Sequence, residues 1–482
     1  MSIPQPSVSI SQSNAMSPVE RRAAFSIAGI FSTRMLGLFM IFPVFALFAE
    51  GEFAGVTGVQ IGIAMGIYGL TQAFLQIPYG MLSDKYGRKP LIIAGMLVFM
   101  IGSIVCALAD SIEMMILGRA IQGMGAVAAV LMASVGDLVT EQFRLRAMAI
   151  VGITIGLSFT LSLVAGPVLA TWFGVRGIFW VIAGLAVGGM LLVWFVMPNI
   201  EHQEFQRESQ ADPSEFKTIL KDTQLLRLNL GVFILHALLT AMFVALPLSL
   251  RDNAGLDLLN HWHIYLPVML LSFALMVPFI IQAESKDRMK QMFVGAVAVL
   301  MLSQVGFATL EHSFWLLFAL LLIFFTAFNL LEASLPSLVV KLSPADKKGT
   351  ASGVYSTSQF LGAAAGGLLG GYFYQYHGYV GVFVFTAAIS AVWLLVAASM
   401  KNPLPLSITS LPLGALQIKD VKAFEQTFLA YEGIYEVVVL PHDQRVFFKV
   451  DRKVIEEAGL KEYMQQYQAG SGSNLDEALV KG

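Results

Sequence analysis

Residues 80–90 read GMLSDKYGRKP, a short basic loop between two long apolar segments. Its one carboxylate, Asp84, lies at the end of the first segment, where an unpaired charge is costly if that segment crosses a membrane. Asp84 therefore needs a partner, which could be a basic side chain such as Arg88 or the positively polarised N-terminus of a helix. The alternative is a solvated turn whose basic residues only orient the chain.

The composition places this loop in a membrane protein. Of the 482 residues, 56 % are hydrophobic and 13 % are charged, and the mean hydropathy is +0.72. Soluble domains carry about a quarter charged residues, so a water-soluble globule is excluded. The net charge of −2 argues against a nucleic-acid-binding protein. Cys106 is the one cysteine, which excludes disulfide scaffolds and cysteine-based metal clusters.

The apolar segments predict an all-α polytopic membrane protein. A membrane-spanning helix needs roughly 20 apolar residues. Twelve such segments lie near 23–49, 58–82, 91–109, 112–137, 145–172, 176–197, 225–250, 262–283, 291–310, 313–340, 349–374 and 379–400. The polar stretch 198–224 is a linker between two six-helix halves, 21–197 and 225–400, and residues 1–20 are predicted to be a disordered tail.

Lys and Arg are unequally divided between alternate loops, and this division sets the orientation of a membrane protein. One set of loops, together with the central linker, holds most of them, including Arg21, Arg88 and Lys286. The opposite set holds only Arg176 and Arg251. The bias predicts a multi-pass protein with both termini and the central linker in the cytoplasm.

The last part of the chain has the composition of a small soluble domain. A linker at 401–410 precedes a domain at 411–467, and a flexible tail follows at 468–482. The predicted order is β-α-β-β-α, which favours a sheet with helices on one face. Its elements are a strand at 408–413, a helix at 420–431, strands at 434–440 and 445–451, and a helix at 454–467.

The loop at 80–90 resembles the signature loop of the major facilitator superfamily, whose pattern is G-x-L-a-D-r-x-G-r-k. The matching residues are Gly80, Leu82, Asp84, Gly87, Arg88 and Lys89. The run from Arg119 to Gly125 resembles the R-x-x-Q-G-x-G motif of the drug:proton antiporter members. Gly166-Pro167 resembles their G-P motif in part, because Ala170 and Thr171 stand where that pattern has two glycines.

This resemblance implies a latch that controls alternating access. In the outward-open state, Asp84 would cap the N-terminus of the eleventh helix at 349–353, and Arg88 would pair with Asp137 on the fourth helix. Opening toward the cytoplasm would break the Asp84 contact. The latch residues implied in this way are Asp84, Arg88, Asp137, Gly80, Gly87 and Gly349.

Few ionisable residues lie well inside the predicted spans, where such residues are functional candidates, and four of them stand out. Glu332 is the first candidate for a proton carrier, with a charge paired at the helix end as the alternative. Arg119 carries the antiporter motif, and the resemblance implies that it assists proton transfer by tuning a nearby acid. Arg34 could serve transport, or it could form a structural ion pair or bind backbone carbonyl groups. His236 could relay protons, or be a hydrogen-bonded core residue.

Polar and aromatic side chains on the spans are candidates for lining a substrate cavity. Gln122, Gln359, Asn329 and Phe39 belong to this group. Lipid-facing surface is the alternative origin of most aromatic residues in these segments.

Together with the resemblance, these features predict a proton-coupled secondary transporter of a bacterial inner membrane that exports its substrate by alternating access between the two halves. The expected partners are a small lipophilic or amphipathic substrate, protons and the lipid bilayer, with no cofactor and no metal. The first alternative is a uniporter or an importer of a small metabolite. The second is a membrane sensor that signals through the C-terminal domain. No nucleophile–base or metal-ligand pattern supports an enzyme.

The C-terminal domain resembles the ferredoxin-like domain that accompanies a bacterial member of this superfamily. Metal-carrying domains of similar shape use two cysteines, and this one has none. A regulatory or interaction role is therefore expected. An exposed sheet edge could also support self-association through this domain.

Overall fold

The structure is a computed structural model that describes most of the chain. The described residues are 15–199, 216–285, 288–310, 313–344, 347–402, 406–413, 418, 421–440, 445–451, 454–455 and 457–470. Residues 1–14 and 471–482 of the predicted tails (1–20 and 468–482) lie outside these ranges, as do residues 200–215 of the linker at 198–224.

Helices make up most of the described residues before position 400. They are α1 (Pro18–Phe39), α2 (Phe45–Glu52), α3 (Gly58–Tyr86), α4 (Arg88–Ala107), α5 (Ile112–Met124), α6 (Ala128–Leu138), α7 (Glu141–Leu191), α8 (Phe216–Ile219), α9 (Thr223–Asp252), α10 (Trp262–Ser285), α11 (Met289–Thr309), α12 (Phe314–Leu342) and α13 (Lys348–Ala398). A π-helix (Leu192–Val196) follows α7, and a short 3-10 helix (Leu258–Asn260) precedes α10.

Within the described residues, nine helices are long and apolar enough to cross a membrane. Two of them, α7 and α13, contain a single non-helical glycine, Gly174 with φ 69° and Gly378 with φ 60°. Only glycine adopts these conformations readily, so each helix is divided into two segments there. Divided at these glycines, the nine helices cover the second to the twelfth predicted segments, and α1 with α2 covers the first.

The start of α1 corrects the predicted tail at 1–20, because Pro18 already lies in the helix. Ser17 and Glu20 form a reciprocal capping box, and proline is favoured in the first helical turn. The Glu20 carboxylate also accepts hydrogen bonds from the backbone N–H and hydroxyl of Thr140, at 3.0 and 2.6 Å. Burial of Glu20 opposes ionisation, but the bonds from Thr140 and Ser17 outweigh it and lower the pKa of Glu20 to about 2.

The helix contacts form two groups. In the first, α1 packs along α7, and α4 packs against α5 and α7. In the second, α9 and α11 pack on α13, and α12 packs on α10 and α11. The principal helix contact between the two groups joins α3 to α13.

The C-terminal domain contains a three-stranded antiparallel sheet in the described residues. Strands β1 (Leu406–Pro412), β2 (Ile434–Leu440) and β3 (Arg445–Asp451) lie in the order β1-β3-β2, with helices α14 (Val421–Leu429) and α15 (Glu457–Gly470). This is the predicted β-α-β-β-α order.

Two boundaries of this domain differ from the prediction. Strand β1 begins inside the predicted linker at 401–410, because its pairing with β3 extends from Leu406, opposite Asp451, to Pro412, opposite Arg445. The last helix ends at Gly470, beyond the predicted end of the domain.

The domain has its own core and contacts the helical part of the chain. Phe424 and Phe428 of α14 are fully buried with Phe448 of β3. The Lys449 ammonium donates a hydrogen bond to the Ser343 carbonyl at 3.1 Å, just after the end of α12.

Candidate functional site

Asp84, Arg88 and Asp137 form one ion-paired cluster beside the loop at 80–90. Arg88 Nε donates to Asp137 Oδ2 at 2.7 Å, and Arg88 Nη1 also donates to Asp84. The side chains of Arg88 and Asp137 are only 2 % and 3 % exposed. Breaking a buried ion pair of this kind leaves an uncompensated charge. The cluster therefore holds together the end of α3, the start of α4 and the end of α6.

Glycine shapes the turn that makes this cluster. Gly87 has φ +94° between α3 and α4, a conformation that L side chains rarely adopt. The Gly80 carbonyl accepts a bond from Ser83 Oγ at 2.6 Å. Gly349, the remaining predicted latch residue, lies in the first turn of α13.

Helices α3 and α13 are in backbone contact at the end of the molecule opposite this loop. A Cβ atom added to Gly62 would lie 2.1 Å from the Gly367 carbonyl oxygen. A Cβ at Gly58 would lie 2.8 Å from the Gly371 carbonyl oxygen. Only glycine fits these positions, so the two halves meet without side chains between them.

A polar cluster joins the two halves at the same end. The Glu50 carboxylate accepts a hydrogen bond from the Tyr374 hydroxyl at 2.7 Å and lies 3.4 Å from the Arg251 guanidinium. Arg251 also pairs with Asp252 at 2.5 Å, and the Tyr379 hydroxyl donates to Asp252. Glu50 comes from the first half and the other four from the second, so this end is closed.

Aromatic rings bridge the halves near the middle. The rings of Phe42 and Phe243 are 5.4 Å apart, and those of Phe159 and Phe325 are 6.1 Å apart. Phe39, a predicted cavity residue, packs against Phe159 at 4.8 Å. It therefore belongs to the apolar layer between the halves.

Arg34 is fully buried within the first half. Its Nη2 atom donates to the Tyr68 hydroxyl at 2.9 Å and to Gln72 Oε1 at 2.5 Å. Its Nε and Nη1 atoms have no hydrogen-bond partner among the described residues. The expectation of a structural ion pair finds no support, because both acceptors are neutral.

Arg119, on α5, is also buried within the first half. Its Nη1 atom donates to Gln122 Oε1 at 2.8 Å, and its Nε atom donates to the Ala64 carbonyl at 3.3 Å. Its guanidinium carbon lies 5.0 Å from the centre of the Tyr68 ring. Gln122 in turn donates to Ser103 Oγ at 2.8 Å and is fully buried, so it holds Arg119 in place.

Three predicted residues from three helices form a cluster in the second half. His236 on α9, Glu332 on α12 and Gln359 on α13 are in contact. The imidazole Nε2 of His236 is 2.8 Å from Gln359 Nε2 and 3.7 Å from Glu332 Oε2. Gln359 also donates to Glu332 Oε1 at 3.4 Å. The Glu332 side chain is 37 % exposed, but its Oε2 atom is buried and has no hydrogen-bond partner among the described residues.

Asn329 lies about one turn before Glu332 and is 7 % exposed. Its side-chain amide donates to Ser272 Oγ at 2.9 Å. Of the four predicted cavity residues, Gln359 contacts His236 and Glu332. Gln122 and Asn329 are hydrogen-bonded to neighbouring side chains instead.

Comparison of the sequence with models of protein families identifies the family of this chain. The family model of the Major Facilitator Superfamily matches residues 27–367 and 287–430. The chain belongs to the major facilitator superfamily. It is therefore a multi-pass membrane transporter of a small molecule and not an enzyme.

Two relatives and one solved structure illustrate this membership. The inner membrane transport protein YajR of Escherichia coli (strain K12) is 45 % identical over 94 % of this chain and 99 % of its own length. The multidrug resistance protein MdtH of Aeromonas hydrophila is 26 % identical over 71 % of this chain and 85 % of its own. A bacterial homologue of the human lysosomal transporter Spinster, inward-facing and occupied, has a TM-score of 0.62 at 12 % identity. That alignment covers 80 % of this chain and 96 % of the other.

The sequence interpretation missed the polar cluster that closes one end of this major facilitator protein. A signal was present, because Arg251 is one of only two basic residues in the loops of that side. Glu50, in another loop of the same side, has the complementary charge. The role of Tyr374 had no such signal, since its partner is 324 residues away.

Proposed function

We propose that this transporter exports an amphipathic compound in exchange for protons, by alternating access between its two halves. The observation that carries the proposal is the contact of Glu332, His236 and Gln359 inside the membrane-spanning region. A carboxylate, an imidazole and an amide at these distances form a site that can hold a proton and change its charge.

The hydrogen bonds of His236 suggest how this site works. Its Nδ1 atom is 3.2 Å from the Val232 carbonyl, an acceptor, so Nδ1 carries a proton. In the neutral ring Nε2 then accepts from the Gln359 amide. A proton that binds to the Glu332 carboxylate changes the charge of the cluster by one.

The contacts between the two halves support a conformation that is open toward the cytoplasm. The glycine contact of Gly62 with Gly367 and the Glu50 cluster close the end opposite the loop at 80–90. The Lys and Arg bias assigns that loop, and both termini, to the cytoplasm. The named localisation of the relative YajR supports a bacterial inner membrane.

The loop at 80–90 would then stabilise the alternate, outward-open state. Arg88 pairs with Asp137 in the present conformation, which keeps the loop ordered. In that state we infer that Asp84 caps the first turn of α13 at Gly349, where free backbone amides favour a carboxylate.

The C-terminal domain is assigned a regulatory role. Its Lys449 contacts the end of α12, and α12 carries Glu332. Self-association through an edge of its sheet remains part of this proposal.

The test uses proteoliposomes that contain a pH-sensitive dye. Amphipathic compounds are screened for movement of protons that depends on the compound and on an imposed pH gradient. We expect at least one such compound, and we expect Glu332→Gln to abolish the response. Glu113→Gln is the matched control, because Glu113 is an exposed carboxylate bonded to Gln60 in the first half. Proton movement that persists in Glu332→Gln excludes this carboxylate as the carrier, and compound flux without proton movement favours the uniporter.

A further inference from the structure

We propose that the transported compound is an anion and that its acidic group binds to the buried guanidinium groups of Arg34 and Arg119. This inference rests on the proposed transport function and specifies its substrate class. The pocket, called here the arginine pocket, consists of Arg34, Arg119, Tyr68, Gln72 and Gln122.

The first observation is a group of buried N–H donors without acceptors. Arg34 and Arg119 are 0 % and 1 % exposed, and Gln72 is 0 % exposed. In the described part of the chain, four of their nitrogen atoms have no hydrogen-bond partner: Arg34 Nε, Arg34 Nη1, Arg119 Nη2 and Gln72 Nε2. Buried polar groups are nearly always paired, and an unpaired one is costly. All four are donors, so the missing partner is an acceptor.

The second observation is the charge of the pocket. Arginine stays protonated in proteins, so the pocket holds two positive charges. Among the described residues, no carboxylate oxygen lies within 4.0 Å of either guanidinium. The acceptors that Arg34 and Arg119 have are a phenol, two amides and a backbone carbonyl, all neutral. Neutral acceptors do not compensate two buried charges.

The two guanidinium groups are also packed around one side chain. Their carbon atoms lie 6.0 Å and 5.0 Å from the centre of the same ring, that of Tyr68. An anion bound among these donors would compensate buried positive charge that the neutral acceptors leave uncompensated. The planar fork of arginine fits the paired oxygens of a carboxylate, a phosphate or a sulfonate. The pocket therefore selects an oxyanion over a cation or a neutral compound.

The pocket and the proton site lie in different halves of the molecule. Arg34 and Arg119 belong to α1 and α5, whereas Glu332 belongs to α12. Both guanidiniums are covered in the present conformation, so the acidic group reaches them when the halves rearrange. A proton on Glu332 and an anion on the arginines would each change the net charge of one half.

The experiment compares four compounds that share one aromatic ring: benzoate, phenyl phosphate, benzylammonium and benzyl alcohol. Each is added at about 10 mM and equal ionic strength to the purified full-length protein, and the thermal unfolding midpoint is measured. We expect at least one of the two anions to raise the midpoint by about 2 °C or more, and the other two compounds to have no such effect. A larger shift with benzylammonium or benzyl alcohol, or no shift with either anion, overturns the proposal.

Variants separate the pocket from nonspecific anion binding. Arg34→Gln and Arg119→Gln should bind the anion at least tenfold more weakly, and Arg34→Lys, which keeps the charge, should be affected less. Arg21→Gln removes an exposed positive charge and should bind like the wild type. Unchanged anion affinity in both glutamine variants overturns the proposal. If one of them does not fold, the comparison of the four compounds on the wild type still decides.

This binding measurement does not depend on proton coupling. Glu332→Gln should retain the preference for anions even though it loses proton movement. Loss of proton coupling with the anion preference intact therefore contradicts the proposed function alone. Proton-coupled export of a cation contradicts the arginine pocket alone.

Discussion

Replacing Gly62 by alanine should shift the transporter away from the conformation described here. The added Cβ would lie 2.1 Å from the Gly367 carbonyl oxygen and 2.8 Å from the Gly371 Cα atom. Ordinary contacts begin near 3.4 Å, so α3 and α13 must separate by more than 1 Å. Both neighbours are backbone atoms, which cannot move aside as a flexible side chain could.

The energetic consequence follows from the location of this contact between the halves. Overpacking of a tight contact costs about 1–3 kcal/mol. The cost applies only while α3 and α13 are in contact, so it changes the ratio of the two conformations about 5- to 150-fold. Gly62→Ala should therefore populate the form that is open at the Glu50 end.

The populations can be measured as distances between spin labels at Ala54 and Leu259, two exposed positions at that end, one in each half. We expect a longer distance component in Gly62→Ala than in the wild type. Gly188→Ala is the matched control, because a Cβ at this helical glycine of α7 meets no atom within 4 Å. Identical distance distributions in Gly62→Ala and Gly188→Ala would refute the reasoning.

Three further predictions concern other contacts. Asp137→Asn should lower the free energy of unfolding by about 3 kcal/mol, since Arg88 loses a partner inside a buried pair; an unfolding midpoint equal to that of the wild type would contradict this. Tyr374→Phe removes the bond to Glu50 and should shift the same label distances toward the open form by about tenfold in population, because bonds to charged groups contribute about 1.5–3 kcal/mol; an unchanged distribution would show that the bond does not hold the halves. Glu20 has a pKa of about 2 in the folded protein, below its ordinary value of 4.5. A depressed pKa stabilises the folded state above the ordinary value, and this stabilisation disappears as the pH falls from about 4.5 through about 2. The midpoint difference between wild type and Glu20→Gln should shrink over that range, and a difference independent of pH would argue against it.

The membrane fold could be predicted from the sequence because its signals are local. Apolar length gives the helices, and the spacing of Gly58 and Gly62 along α3 indicates a face that approaches another helix closely. Sequence spacing did not reveal that α13 is the partner, because the glycines of α13 form a similar stripe and either stripe could pack elsewhere. The boundary errors at Pro18 and Leu406 have local causes, a capping box and a longer strand pairing.

The candidate site was predictable as a set of residues but not as an arrangement. Charge inside an apolar segment identifies Arg34, Arg119 and Glu332 individually. Nothing in the sequence shows that His236 and Gln359 contact Glu332, since the three lie on different helices far apart in the chain. The unpaired donors of the arginine pocket are likewise visible only when every acceptor around them is known.

The central claim is that protonation of Glu332 drives the exchange between conformations. The most direct measurement is the distance distribution of the label pair Ala54 and Leu259 in lipid nanodiscs at about pH 3.5 and about pH 8, values on either side of the ordinary pKa values of carboxyl and imidazole groups. The account predicts that the populations change with pH in the wild type and are independent of pH in Glu332→Gln. The same pH response in both proteins, or no response in the wild type, would contradict it.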